Sequence, residues 1–181
     1  PQVISMNEDP LKAVRSKKEA SINGCMQLLK EKKVEAVFSA GSTGATLISA
    51  ITILGKQRGV IRPAIASVLP TIERSVILLD SGASLDVKPK VLYQFAVMGS
   101  KLAEALFDIE SPKIGLLNNG EEESKGRELE KSAFKLLNSS SLNFVGNVEG
   151  RDFATNKVDV FVTDGFTGNV VLKTLEVTAK L

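Results

Sequence analysis

Histidine and tryptophan are absent from the 181 residues, and cysteine and tyrosine occur once each. Without histidine there is no Ser-His-Asp or Cys-His nucleophile, no imidazole base and none of the common zinc sites. The lone Cys25 cannot close an internal disulfide, which excludes a secreted, cross-linked scaffold. Aromatic residues are 5% of the chain, and 23 basic residues face 21 acidic ones for a net charge of +2. Such a chain has few stacking platforms and no basic excess, so nucleic acid is not an expected partner. No apolar core of a signal peptide interrupts the charges of Pro1–Ala20, and the expectation is a cytoplasmic chain. The uncharged run Ala36–Gly55 has the length of a membrane span. It also carries Ser39, Gly41, Ser42, Thr43, Gly44, Thr46, Ser49 and Thr52, and reads instead as a buried strand, a tight loop and a helix. Any chemistry must come from Lys, Asp, Glu, Asn, Ser, Thr or the backbone.

The chain is 43% hydrophobic and 24% charged, a composition that folds around a core. A strand, a Gly-rich polar loop and a helix recur along it. The strands are expected at Val34–Phe38, Ala64–Leu69, Val76–Leu79, Lys113–Leu117, Phe144–Val145 and Val158–Val162. The helices are expected at Ser21–Lys30, Ala45–Leu54, Pro89–Phe107 and Ser124–Leu137, and from Gly168 onward. Near-continuous apolar strands between amphipathic helices predict an α/β fold with a mainly parallel sheet covered on both faces. The chain opens on Pro1 rather than Met. Val170, Val171, Thr174, Leu175, Thr178 and Leu181 keep helical spacing to the last residue with no capping Gly, so both ends are expected to lie inside a longer protein.

Ligands of open α/β sheets bind beyond the carboxyl ends of the strands. Those ends read Ser39-Ala-Gly41-Ser-Thr-Gly44, Asp80-Ser-Gly82-Ala-Ser84, Asn118-Asn-Gly120-Glu, Gly146-Asn147 and Asp164-Gly-Phe-Thr-Gly-Asn169. Each alone is most simply a turn. Together at one edge, glycines and helix N-termini would suit a small anion, with phosphate the leading candidate. Neither G-x-G-x-x-G after a strand nor a P-loop is present. Lys125 lies in Glu121-Glu-Glu-Ser-Lys-Gly-Arg127. Such a run is ordinarily a solvated charge cluster, but a lysine in a first helical turn opposes the macrodipole and asks for a reason. Asp164 and Asn169 bracket a glycine loop that also suits an N-cap. Asp80 is either a loop cap or an acidic site residue, Arg62-Pro63 suits the start of a strand, and Cys25 suits packing. Asn138-Ser-Ser140 fits a glycosylation sequon without any sign of secretion.

Seven segments in order resemble signatures of the bacterial phosphate acyltransferase family PlsX. They are Ser39–Ala45; Arg62-Pro-Ala64 with Leu69-Pro-Thr71; Leu78–Ala83; Gln94–Ser100; Gly115–Asn118 with Glu121-Glu and Lys125-Gly126; Asn143–Glu149; and Asp164–Val170 with Leu172-Lys-Thr174. The resemblance implies a three-layer α/β/α sandwich like that of phosphotransacetylases and isocitrate-dehydrogenase-like enzymes. Residues 1–181 would be an interior part of one such domain. It implies transfer of a long-chain acyl group from acyl carrier protein to inorganic phosphate, giving acyl phosphate for phospholipid synthesis. It also implies a homodimer, a downstream glycerol-3-phosphate acyltransferase, a peripheral position at the inner face of the membrane, and no cofactor or metal. By motif match the catalytic pair falls on Lys125 and Asn169. Phosphate or substrate contacts are expected from Gly41, Ser42, Thr43, Gly44, Asp80, Asn118, Asp164, Gly165 and Gly168. Ser42, Ser81, Ser84 and Val177 stand where the family usually has Asn, Val, Asn and Gly.

The chemistry agrees with the composition. Phosphate is already anionic near neutrality, and a thiol with a pKa of about 8.5 leaves readily as thiolate, so no histidine base is required. The alternatives are a phosphotransacetylase-like transfer from acyl-coenzyme A, a non-catalytic phosphate-binding module, and metal-dependent dehydrogenase chemistry. The last would need more clustered carboxylates than Asp80 and Asp164.

Overall fold

The computed structural model describes residues 2–180, so Pro1 and Leu181, the last position of the helical pattern, lie outside the described residues. The chain divides into two compact units, Pro1–Val60 and Ile61–Leu181.

The first unit holds three helices, α1 (Pro10–Ser16), α2 (Ser21–Lys30) and α3 (Thr43–Ile53). Sequence periodicity predicts α2 and α3 but misses α1. Its signal is Asp9-Pro10: the Asp9 side chain accepts from Lys12 N at 2.8 Å, and Pro10 opens the first turn. Buried Asn23 ties the helices together. Its amide donates to the carbonyls of Val14 and Lys17, and its oxygen accepts from the Ser49 hydroxyl at 2.7 Å. Val34–Phe38, expected as a strand, forms none, and Phe38 is exposed. A strand is defined by its neighbour's ladder, and within this unit the described residues offer only the isolated bridge of Gln2 with Ala20.

The second unit is a five-stranded sheet with its helices. Its elements are β1 (Ala66–Pro70), β2 (Ser75–Leu79), α4 (Pro89–Phe107), β3 (Ile114–Leu117), α5 (Glu128–Asn138), β4 (Phe144–Val148), a 3₁₀ turn (Gly150–Ala154), β5 (Val160–Val162) and α6 (Gly165–Thr178). The spatial order is β1-β2-β5-β3-β4; β1 is antiparallel to β2 and every other pairing is parallel. The mainly parallel α/β expectation therefore holds, and the alternation of side chains explains the layers. Ile77, Leu79, Ile114, Leu116, Val160 and Val162 meet α4 and α5 on one face. Val76, Leu78, Leu117, Val148 and Phe161 meet Phe153 and the apolar side of α6 on the other.

Two glycines set the spacing of these layers. A Cβ on Gly99 of α4 would lie 2.5 Å from Val160 Cγ1, and one on Gly115 of β3 would lie 2.6 Å from both methyls of Val148. Gly115→Ala should therefore lower the unfolding midpoint, at about 1–3 kcal/mol of overpacking. Gly24→Ala, on an exposed turn of α2 with nothing within 4 Å, should raise stability by about 1 kcal/mol. Urea unfolding of the two variants checks both signs.

Candidate functional site

The order of the strands decides where the site lies. β3 and β5 are adjacent and parallel, but α5 leaves β3 toward one face while α6 leaves β5 toward the other. The two loops part at the carboxyl edge, which is the switch point at which open α/β sheets bind ligands. A cleft of about 510 Å³ opens there, lined by Leu117, Asn118, Asn119, Gly126, Arg127, Glu130, Thr163 and Thr167.

On the β2 side, Asp80 is fully buried and its carboxylate is spent on backbone. Oδ1 accepts from the amides of Ile65, Gly82 and Ala83, and Oδ2 accepts from Ser84 N at 2.8 Å. Of the two readings open for Asp80, the geometry is that of a loop cap. The first turn of α6 packs directly on this loop. Gly165 N donates to Ser84 O at 2.8 Å, a Cβ on Gly165 would lie 2.7 Å from Asp80 Oδ2, and one on Gly168 would lie 1.9 Å from Asp80 O. Gly165 and Gly168 thus allow backbone to approach backbone. Asn169, in the next turn, reaches over Gly82, whose φ of +141° suits glycine.

Asp164 caps α6, accepting from Thr167 N at 2.7 Å, which starts the helix three residues before its expected beginning at Gly168. Its other oxygen is ion-paired to Arg127 Nη2. Arg127 in turn holds Glu130 through Nε and Nη2, and its own amide donates to Glu130 Oε2 at 2.8 Å. Hydrogen bonds to Glu130 and then Asp164 raise the arginine pKa further above its ordinary value, so its charge is permanent.

Lys125 lies on the loop before α5, which starts at Glu128 rather than Ser124 because Gly126 turns the chain with φ +88°. Asn118 clamps this loop: its amide donates to Lys125 O at 3.2 Å, and its oxygen accepts from Asn119 N. Asn147 Nδ2 donates to Glu122 O at 2.8 Å, and Lys157 pairs with Glu121 at 2.8 Å, holding that carboxyl below the usual carboxylate range. Lys125 itself is exposed and forms no ion pair among the described residues. It shares a shallow depression beside the cleft with Gly120, Glu122 and Arg151.

The second unit therefore brings the Asp80, Asn118 and Asp164 loops to one edge. Gly146-Asn147 does not end a strand, because β4 continues to Val148; the register shifts between Ile114 and Gly115, leaving Val145 as the extra residue of a bulge beside Gly146, whose φ is +103°. Gly41, Ser42, Thr43 and Gly44 lie in the first unit, where Ser42 caps α3 by accepting from Ala45 N at 3.3 Å. Sequence pattern alone does not single out Arg127, Glu130, Thr163 or Thr167. The Arg127–Glu130 spacing was the only available signal, and it sits inside what resembles a solvated charge run.

The family model described as "Fatty acid synthesis protein" matches residues 1–181. A "Phosphate acyltransferase" of Desulforamulus reducens is 53% identical over 97% of this chain and 53% of its own length. One of Clostridium tetani is 49% identical over 97% of this chain and 52% of its own. The chain thus spans about half the length of these relatives. Among solved structures, the EutD phosphotransacetylase of Staphylococcus aureus matches with a TM-score of 0.67 at 18% identity, over 88% of this chain and 56% of that one, a likeness of fold.

Because an added methyl at position 168 would meet backbone rather than a side-chain tip, Gly168→Ala should cost at least the upper end of the usual overpacking range of about 1–3 kcal/mol. Hydrogen exchange should rise in both residues 80–84 and residues 164–169. Exchange confined to one segment would contradict this packing.

Proposed function

Since this chain belongs to the phosphate acyltransferase family of fatty acid synthesis proteins, we propose that it carries the reacting edge of an enzyme that transfers a long-chain acyl group from acyl carrier protein to inorganic phosphate. The observation that carries this reading is the half-identity, over nearly the whole chain, to relatives named phosphate acyltransferase. The cleft supports it by its place between the loops of β3 and β5.

A phosphate oxygen attacks the thioester carbonyl, the C–O bond forms, and the tetrahedral oxyanion collapses with expulsion of the thiolate. No proton need be removed from the nucleophile, so the protein's task is positioning and charge stabilisation. Lys125, with no ion pair among the described residues and on a loop clamped by Asn118 and Asn147, supplies positive charge to phosphate or to the oxyanion. Asn169, held over the Asp80 loop, donates to the oxyanion. Thr163 and Thr167 line the cleft. Asp80, Asp164, Gly165 and Gly168 shape the edge from within. Residues 1–181 are read as an interior part of one α/β domain. The reading extends to a homodimer, to hand-over of acyl phosphate to a glycerol-3-phosphate acyltransferase, and to peripheral membrane association. No described helix is long and apolar enough to cross a membrane.

Loss of one stabilising donor typically costs about 10²–10³ in rate. Lys125→Ala and Asn169→Ala in the complete protein should each lose acyl-phosphate formation on that scale. Both staying within a few-fold of wild type would refute the assignment. Acyl carrier protein and coenzyme A thioesters, compared as donors, decide the donor class; preference for coenzyme A would overturn that part of the reading.

A further inference from the structure

One group spans the cleft. Arg127 is the N-cap residue of α5, two residues after Lys125, and its guanidinium reaches Asp164, the N-cap residue of α6, five residues before Asn169. The two carboxylates that it joins are deeply buried, with Glu130 side chain 9% and Asp164 side chain 2% exposed, whereas the arginine side chain is 60% exposed. With two carboxylates against one cation, the cluster carries an excess negative charge, so Arg127 is a poor phosphate ligand. A lysine at this position would have one compact ammonium in place of a planar fork and could not repeat the same span. The segments on either side have no covalent tie nearer than the whole of α5, β4 and β5.

We propose that Arg127 is a positioning residue: through Glu130 and Asp164 it locks the loop that carries Lys125 in register with the helix start that carries Asn169. The catalytic side of this inference rests on the roles given to Lys125 and Asn169 above; the mechanical side does not. Removing the arginine leaves Asp164 buried with only its helix amide, and both frames lose their common anchor. A shift of about 1 Å between reacting groups can cost roughly 10²-fold in rate.

The test uses Arg127→Ala and Arg127→Lys in the complete protein, assayed well below their unfolding midpoints. Backbone hydrogen exchange should rise in both 119–126 and 165–169, although only the first is adjacent to the substitution. The kcat should fall by roughly 10²-fold for Arg127→Ala, with the phosphate KM held within about threefold. Arg127→Lys should keep the native unfolding midpoint more closely yet still lose kcat. Millimolar guanidinium chloride, but not sodium chloride at equal ionic strength, should restore much of the kcat of Arg127→Ala, since the site is open to solvent. Exchange that rises only in 119–126 would overturn the strut. So would an unchanged kcat alongside an inactive Lys125→Ala. A defect confined to the phosphate KM would make Arg127 a substrate ligand and overturn the proposal as well. If Lys125→Ala and Asn169→Ala prove active, the failure lies in the functional reading, and the exchange result still decides the strut.

Discussion

Strand β5 enters last and lies in the middle. Its three residues, Val160, Phe161 and Val162, are fully buried, with β2 paired on one edge and β3 on the other. A strand buried on both faces must be apolar at every position, and this one is. Its burial also fixes what surrounds it. Val160 and Val162 require a layer on one face, which α4 and α5 supply, and Phe161 requires a layer on the other, where it stacks on Phe153 at a ring-centroid distance of 3.8 Å. Because α6 covers the second face and α5 the first, the loops after β5 and β3 diverge. The cleft is therefore a consequence of apolar packing before any polar residue is considered.

The polar residues at that edge follow from a second constraint. Loops that turn at the end of a buried sheet leave backbone amides that must find acceptors. Asp80 satisfies four of them, and Asp164 caps the next helix. Buried carboxylates need partners in turn, and Arg127 joins Asp164 to Glu130. The acids nearest the sheet are thus used up in holding the chain. Lys125 and Asn169 remain exposed, and Thr167 is half-buried in the wall of the cleft. Of the acids near Lys125, Glu121 is engaged by Lys157, and Glu149 by Arg151.

Periodicity made the second unit legible. α4 runs over the expected residues, and all five strands begin within two residues of their expected starts; only β4 extends well past its expected end. Apolar alternation and Gly/Pro punctuation carry that information locally. The β4 extension was hidden by a bulge at Gly146, which looks like a loop signal. Val34–Phe38 failed for a different reason. An apolar run states that a segment wants a neighbour, but only pairing makes it a strand. The site was half legible. Small polar residues after strands marked the Asp80, Asn118 and Asp164 loops, because turn chemistry and ligand approach favour the same residue types. For the same reason the sequence could not separate Asp80 and Gly168, which serve the backbone, from Asn169, which lies on the surface. Arg127 was invisible because its partner Asp164 lies 37 residues away, and no local pattern reports that pairing.

The missing histidine bears on this arrangement directly. An enzyme that must generate its nucleophile keeps a base of suitable pKa within reach of the attacking atom, and the surrounding polarity is arranged to tune that pKa. In the transfer proposed above, phosphate and a thioester would remove the requirement at both ends, since the nucleophile arrives charged and the leaving thiolate departs charged. The remaining demand is that a cation and an amide donor keep fixed positions while negative charge moves between three sites. Rigidity would meet such a demand, and the edge holds its parts tightly: a carboxylate bound to four amides, two glycines that let backbone touch backbone, and one guanidinium across the gap. Under the proposed reading, a chain without histidine and an edge held by struts serve the same chemistry.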